Sequence, residues 1–191
     1  MENSPRILAV FVQSSLEEIM KLDAKVGDRV RAGLKPDVLE AIETASPVAW
    51  LPVEVDVEIT DCFFQVAGVE RAGLAFRGAL AEAIKRPLLR PLMDGALGIF
   101  GRNPAKILRW VPKAWSLIYR DCGEMRCTHA DENSAALELR LLPHSIVHSR
   151  FYLRGTAASL SAFFDWLGID GQVTLEGPCS TQRTAKFKLS W

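Results

Sequence analysis

The repeat of apolar residues along the chain changes from about 3.6 residues to two near residue 124, and this change restricts the fold. Before it, apolar residues recur every three or four positions, which is typical of helices with one buried face. After it, residues 125–129 and 135–141 alternate between an apolar and a polar face, which is typical of half-buried strands. The turn-like sequence DENS joins the two runs, so they predict a β-hairpin.

The elements around this hairpin predict an α+β fold. A helix over residues 151–167 and two further strands, at 173–175 and 184–191, follow the hairpin. We therefore expect an N-terminal helical layer packed on a C-terminal antiparallel sheet. With 191 residues and no good linker, the chain suits a single domain over residues 1–191. At the N-terminus, residues 7–12 predict a short strand, and Ser14 or Ser15 is expected to begin the first helix.

The segment around residues 53–59 allows two interpretations. Its valines and Ile59 alternate with acidic residues, which is typical of a strand. Continued to residue 67, however, the apolar residues recur with a helical period, and Pro52 suits a first helical turn. We favour a helix over residues 52–67 and keep a strand over 53–59 as the alternative. The residues on the apolar helical face are Val55, Ile59, Cys62, Phe63 and Val66.

Charge is balanced overall but divided along the sequence. The net charge is zero, so nucleic acid is an unlikely partner. Residues 37–61 carry seven carboxylates without a lysine or arginine, and we interpret Glu54, Asp56, Glu58 and Asp61 as a solvated face. Residues 85–120 carry eight basic residues against one acid. Four of the basic residues are spaced to form a stripe on one helix, provided that Pro112 does not break it, and could bind an acidic protein partner. They are Arg102, Lys106, Arg109 and Lys113.

Residues that could carry chemistry are few and lack the usual motifs. Cys122, Cys127 and His129 are spaced as C-x4-C-x-H, but no second chelating pair accompanies them, so we expect no metal site. His144 and His148 lie near serines without a nucleophile motif. We expect a non-enzymatic protein, and the sequence identifies no cofactor. No signal peptide and no apolar run of membrane-spanning length is present, so we expect a cytoplasmic location.

Aromatic residues are concentrated in two helical segments and predict an apolar pocket. Packed together, they could line a ligand site between helices and sheet. The residues expected to line it are Phe63, Trp110, Trp115 and Phe164.

Four stretches resemble a known family. They are QSSLEEIMKL, PVAWLPVEV, PAKILRWVPKAWSLIYRDCGEM and the closing KFKLSW. The pattern resembles myxobacterial domains of unknown function related to the vinyl-4-reductase and haem-NO-binding-like superfamily, which also includes Bet3-like proteins. The resemblance implies helices packed on an antiparallel sheet, an apolar pocket between them and frequent homodimerisation. It does not imply haem here, because no histidine lies between Ser14 and Trp115.

These observations lead to two functional hypotheses. The first is a non-enzymatic module that binds a small apolar molecule in signalling or regulation. The alternative is a protein–protein adaptor or scaffold that docks through the basic stripe and the acidic face.

Overall fold

The first part of the chain is mainly helical. The computed structural model describes residues 4–87 and 89–191, with only the backbone described for Pro178 and Cys179. Two short strands, β1 (Arg6–Leu8) and β2 (Trp50–Pro52), lie among the first helices. Five helices make up the rest of this part: α1 (Ala9–Leu22), α2 (Ala24–Gly33), α3 (Pro36–Thr44), α4 (Val53–Ala67) and α5 (Val69–Lys85).

The second part adds the main sheet. Three helices come first: α6 (Arg90–Phe100), α7 (Pro104–Leu108) and α8 (Val111–Ile118). The remaining elements are β3 (Tyr119–Arg120), β4 (Glu124–Ala130), β5 (Ser134–Arg140), α9 (His144–His148), α10 (Tyr152–Leu167), β6 (Gln172–Cys179) and β7 (Thr184–Ser190). The predicted α+β fold, with its hairpin, helix and two closing strands, is confirmed.

The strands form two antiparallel sheets. Four strands in the order β4-β5-β7-β6 make the C-terminal sheet, in which Phe187 of β7 lies between Leu137 and Leu175 and is fully buried. A small sheet in the order β2-β1-β3 joins distant parts of the chain, because Ile7 pairs with Leu51 on one side and with Tyr119 on the other. This small sheet brings β3, which follows α8, against the N-terminal helices.

The predicted strand over residues 7–12 is wrong beyond Leu8. Helix α1 begins at Ala9, five residues before Ser14, so neither Ser14 nor Ser15 caps it. The amides of Ala9 and Val10 instead donate to the carbonyls of Ala49 and Pro47 at 2.8 and 3.0 Å. The loop before β2 therefore satisfies the first amides of the helix, a tertiary contact that local sequence does not reveal.

Residues 53–67 form a helix, as predicted, and strand pairing in this region stops at Pro52. Val53, Ile59 and Phe63 are fully buried along one side of α4, while Glu54 is exposed. The helical repeat overrides the β-branched residues because it collects the apolar side chains on one face. The alternative of a strand over residues 53–59 is wrong.

Two apolar clusters make up the interior. The N-terminal core contains buried side chains from β1, β2, α1–α4 and the first half of α5, together with Phe151. The C-terminal core contains buried side chains from α7, α8, α9, α10 and strands β4, β5 and β7, together with Val53, Ile84 and Met93. Tyr119 packs against both cores. Within the described residues, no helix has both the length and the apolar character needed to cross a bilayer.

Candidate functional site

A cavity of about 110 Å³ lies where the two cores meet, and it is partly open to solvent. Its wall comes from β1, α1, α4, α5, α8, β3, β4 and α10, so both parts of the chain contribute. Most of the wall is apolar, and much of it is aromatic. The aromatic side chains in the wall are Phe11, Phe76, Trp115, Tyr119, Tyr152 and Phe163.

Of the described residues, one in this wall carries a carboxylate. Asp56, in the first turn of α4, is only 6% exposed. Its Oδ2 accepts a hydrogen bond of 2.7 Å from the Tyr152 hydroxyl, and the Tyr119 hydroxyl lies 3.1 Å from that of Tyr152. Among the described residues, none gives a hydrogen bond to the other oxygen, Oδ1, and none forms an ion pair with Asp56. The cavity therefore contains a buried carboxylate with one unpartnered oxygen.

Burial changes the proton affinity of these three groups. It raises the pKa of Asp56 to about 6, against the lowering effect of the Tyr152 hydrogen bond. Burial, followed by the nearby Asp56 charge, raises the pKa of both Tyr119 and Tyr152 well above the usual value. At pH 7 the carboxyl group is therefore mostly ionised and both phenols keep their protons. Since each phenol has one proton to donate, Tyr152 donates to Asp56 and Tyr119 donates to Tyr152.

Trp115 adds a second polar atom without a partner. Its ring stacks on Tyr119, with the ring centres 3.9 Å apart. The side chain is 7% exposed and lies in the cavity wall. The buried Nε1 atom has no hydrogen-bond partner among the described residues. An unpartnered buried donor is rare in proteins, and a bound ligand is one way to satisfy it.

Of the four residues predicted to bind a ligand, the structure places Trp115 in the cavity wall. Phe63 is buried in the N-terminal core and Phe164 in the C-terminal core, and neither lines the cavity. Trp110 is half-buried where α8 begins and does not line the cavity either. A ligand-binding role for these four residues stays a prediction.

The four predicted partner-binding cations are all exposed, but no single helix carries them. Arg102 precedes α7, and Arg109 lies between α7 and α8. Pro112 occupies the first turn of α8, so the chain restarts there instead of continuing one helix. Arg109 also donates to the Ala130 carbonyl at 2.8 Å, and Lys113 lies 5.9 Å from the centre of the Trp110 ring. A partner-binding role for Arg102, Lys106, Arg109 and Lys113 stays a prediction.

The interpretation of the acidic segment as one solvated face is wrong for Asp56. Glu54 is exposed, and Glu58 pairs with Lys35 at 2.6 Å. Asp61 accepts a hydrogen bond of 2.6 Å from Ser149. Asp56 alone is buried, because it falls on the same side of α4 as the buried Val53 and Thr60. A carboxylate on an apolar helical stripe was the signal in the sequence that could have identified it.

The residues considered for a metal site do not assemble within the part of the chain that the structure describes. No group of three or more histidine, cysteine or acidic side chains there could hold a metal ion. Cys122 is buried and Cys127 half-buried, and both are free thiols. The side chain of Cys179 lies outside the described residues.

Solved structures with the same fold are H-NOX domains. The Fe(II) unliganded H-NOX protein from K. algicida is 11% identical to this chain, covers 96% of both chains and has a TM-score of 0.66. A variant of the T. tengcongensis H-NOX is 12% identical, with coverages of 96% and 97% and a TM-score of 0.60. No protein-family model and no curated protein matches the sequence. At these identities, the likeness establishes the fold alone.

Proposed function

We propose that this protein binds a compact, largely apolar molecule in the cavity between its two cores and acts as a signalling or regulatory module. The observation that supports this proposal is the buried Asp56 carboxylate, which has an unpartnered oxygen in an aromatic cavity. Binding sites typically combine apolar walls with a few converging polar groups. A ligand that donates to Oδ1 would satisfy a group that the described residues leave without a partner.

Haem, which the H-NOX relatives suggest as a ligand, does not fit these residues. Haem iron is held by histidine, by cysteine, by methionine together with histidine, or by tyrosine. Among the described residues, Met125 lies in the wall but no histidine or cysteine does. The hydroxyls of Tyr119 and Tyr152 are engaged with each other, and burial favours their protonated form. The cavity volume of about 110 Å³ is also far below the roughly 300–1,000 Å³ typical of sites for larger ligands. A cavity of about 150 Å³ holds benzene, so a ligand the size of one ring is appropriate.

The hydroxyl groups in the wall favour binding over nucleophilic catalysis. A serine or threonine nucleophile needs a neighbouring base to accept its proton. The four serine and threonine hydroxyls described in this wall donate instead to backbone carbonyls, at 2.7–3.2 Å. They belong to Ser15, Thr60, Thr156 and Ser159.

The position of the cavity suggests how binding could produce a signal. Phe76 belongs to the N-terminal core, whereas Trp115 and Phe163 belong to the C-terminal core, and all three line the cavity. A ligand in contact with both cores stabilises one arrangement of the two relative to each other. Its binding energy can then shift the balance between arrangements that differ in the cavity.

The remaining parts of our hypotheses stay proposals. We propose kinship with the myxobacterial family, a cytoplasmic location and homodimerisation on the basis of the sequence. The adaptor function through the basic stripe remains the alternative, but the division of that stripe between α7 and α8 does not favour it.

Benzyl alcohol tests the proposed function, since it combines one ring with one hydroxyl donor. We expect saturable binding to the native protein by calorimetry and a raised Tm. Ala114 of α8 lines the cavity, so Ala114→Leu adds three carbon atoms there and should weaken binding about tenfold or more. Ala81 of α5 is equally half-buried but does not line the cavity, and Ala81→Leu should leave binding unchanged. No binding to the native protein, or equal effects of the two substitutions, would contradict the proposal.

A further inference from the structure

We propose that the natural ligand carries a protonated amine, which forms an ion pair with the free Oδ1 of Asp56. This inference rests on the proposed function and specifies its ligand class. Its geometric basis is the buried carboxylate of Asp56 in the cavity wall. The other described polar side chains of the wall either form hydrogen bonds already or, like Trp115, carry no positive charge.

The carboxylate lacks a positively charged partner in the part of the chain that the structure describes. None of the ion pairs within 4.0 Å among the described residues includes Asp56. A buried ionised group is strongly unfavourable unless it is paired with an opposite charge. Tyr152 supplies one hydrogen bond but no charge. A cationic ligand would supply the missing charge and a donor for the second oxygen at once.

The rest of the wall also favours a cation over an anion. Among the described residues, no lysine, arginine or histidine lines the cavity, so a carboxylate or phosphate ligand would meet only the negative charge of Asp56 there. Six aromatic rings line the same cavity, and their faces attract cations. The negative charge of Asp56 and the aromatic rings of the wall therefore both favour a cationic ligand.

The small volume limits the rest of the ligand. An apolar part of about one ring fills a cavity of about 110 Å³, and the partial opening leaves room for a short extension. A primary amine joined to one ring or to a branched alkyl group meets these requirements.

The test compares probes of similar shape on the native protein at pH 7.5. Benzylamine, benzyl alcohol and benzoate differ mainly in charge at the group that would face Asp56. We expect benzylamine to bind roughly tenfold to a hundredfold more tightly than benzyl alcohol, because hydrogen bonds between charged groups are stronger than neutral ones. Benzoate should not bind. If benzyl alcohol binds as tightly as benzylamine, the amine inference is overturned while the proposed function stands. If no probe binds, both fail.

The substitution Asp56→Asn keeps the size of the side chain and removes its charge. We expect it to weaken benzylamine binding about tenfold or more and to change benzyl alcohol binding by less than about threefold. Equal changes for both probes would overturn the inference.

A pH series on the native protein tests the amine inference without a substitution. The groups that face Asp56 are the hydroxyls of Tyr119 and Tyr152 and the Cys122 thiol, whose pKa burial raises to about 12. All three keep their protons between pH 5 and 7.5, so Asp56, with a pKa of about 6, is the group that titrates. Benzylamine affinity should fall as the pH drops through 6, and benzyl alcohol affinity should not. A benzylamine affinity that stays constant over this range would overturn the inference.

Discussion

The hydroxyl of Tyr152 on α10 donates to the carboxylate of Asp56 on α4 across the cavity wall, at 2.7 Å. These residues are 96 positions apart in the sequence, so the bond fixes α10 against α4 at the meeting point of the two cores. Among the described residues, no other side chain donates to this carboxylate.

The first prediction concerns this bond. Tyr152→Phe leaves Asp56 buried without a donor, so we expect the free energy of unfolding at pH 7 to fall by about 1–3 kcal/mol. Tyr119→Phe is the matched control, because Tyr119 bonds to Tyr152 and not to Asp56. Urea unfolding of both variants measures the difference. Equal losses of unfolding free energy in the two variants would show that the Tyr152 hydroxyl does not stabilise the Asp56 carboxylate.

The second prediction concerns the pH dependence of stability. The folded state binds a proton at Asp56 more tightly than the unfolded chain does, since burial raises its pKa from 3.8 to about 6. Its stabilising contribution is therefore fully present below pH 3.8 and is lost as the pH rises through 6. The loss amounts to about 3 kcal/mol. The difference in unfolding free energy between the native protein and Asp56→Asn should change by about this amount between pH 4 and 7.

Asp131 gives a control of opposite sign. Hydrogen bonds from the Asn133 amide, from His129 and from Ser134 lower its pKa to about 2. Its contribution to stability is present above the unfolded pKa and is lost as the pH falls towards 2. Asp131→Asn should therefore lower the unfolding free energy by a constant amount between pH 5 and 7 and change its pH dependence only on the acid limb.

The third prediction concerns the turn before β4. Gly123 has a φ of +83°, and a Cβ atom there would lie 2.3 Å from the carbonyl oxygen of Arg140. Gly123→Ala should lower the unfolding free energy by about 1–3 kcal/mol from backbone strain, with the collision adding to this. Gly98, within α6, has open space around it, so Gly98→Ala should raise stability by about 0.5–1 kcal/mol. Thermal unfolding of the two variants should give shifts of opposite sign.

The fourth prediction separates two cations of the basic stripe. Arg109 links the segment between α7 and α8 to the hairpin through the Ala130 carbonyl, so Arg109→Ala should cost about 1 kcal/mol. Lys106 is exposed and makes no such link among the described residues, and Lys106→Ala should leave stability unchanged. Chemical unfolding measures both. A comparable loss for Lys106→Ala would contradict this assignment.

The alternation of residues predicted the strands well because each has one buried face. Ala185, Phe187 and Leu189 of the predicted strand are buried in the C-terminal core, while Lys186 and Lys188 are exposed. The period of α4 was equally informative, since its apolar residues form a continuous stripe. These features depend on local repeats that the sequence displays directly.

The site was less accessible from the sequence because distant segments build it. The sequence predicted that Trp115 lines a pocket, but nothing local indicated that Tyr152 would face Asp56. The charge pattern also misled us, since neighbouring acids on α4 have different exposures. The positions of side chains where the two cores meet depend on tertiary packing, and the periodic pattern of the sequence does not reveal that packing.

The pairing of Ile7 with Tyr119 has a consequence for biosynthesis. Both residues line the cavity, although they lie 112 positions apart in the sequence. They pair only when these two distant segments of the chain meet. A nascent chain still short of residue 119 has no binding site, whatever helices have already formed on the ribosome. Closing such a long loop is a slow step of folding, so a ligand present at that moment would favour the completed molecule over its partly assembled precursors.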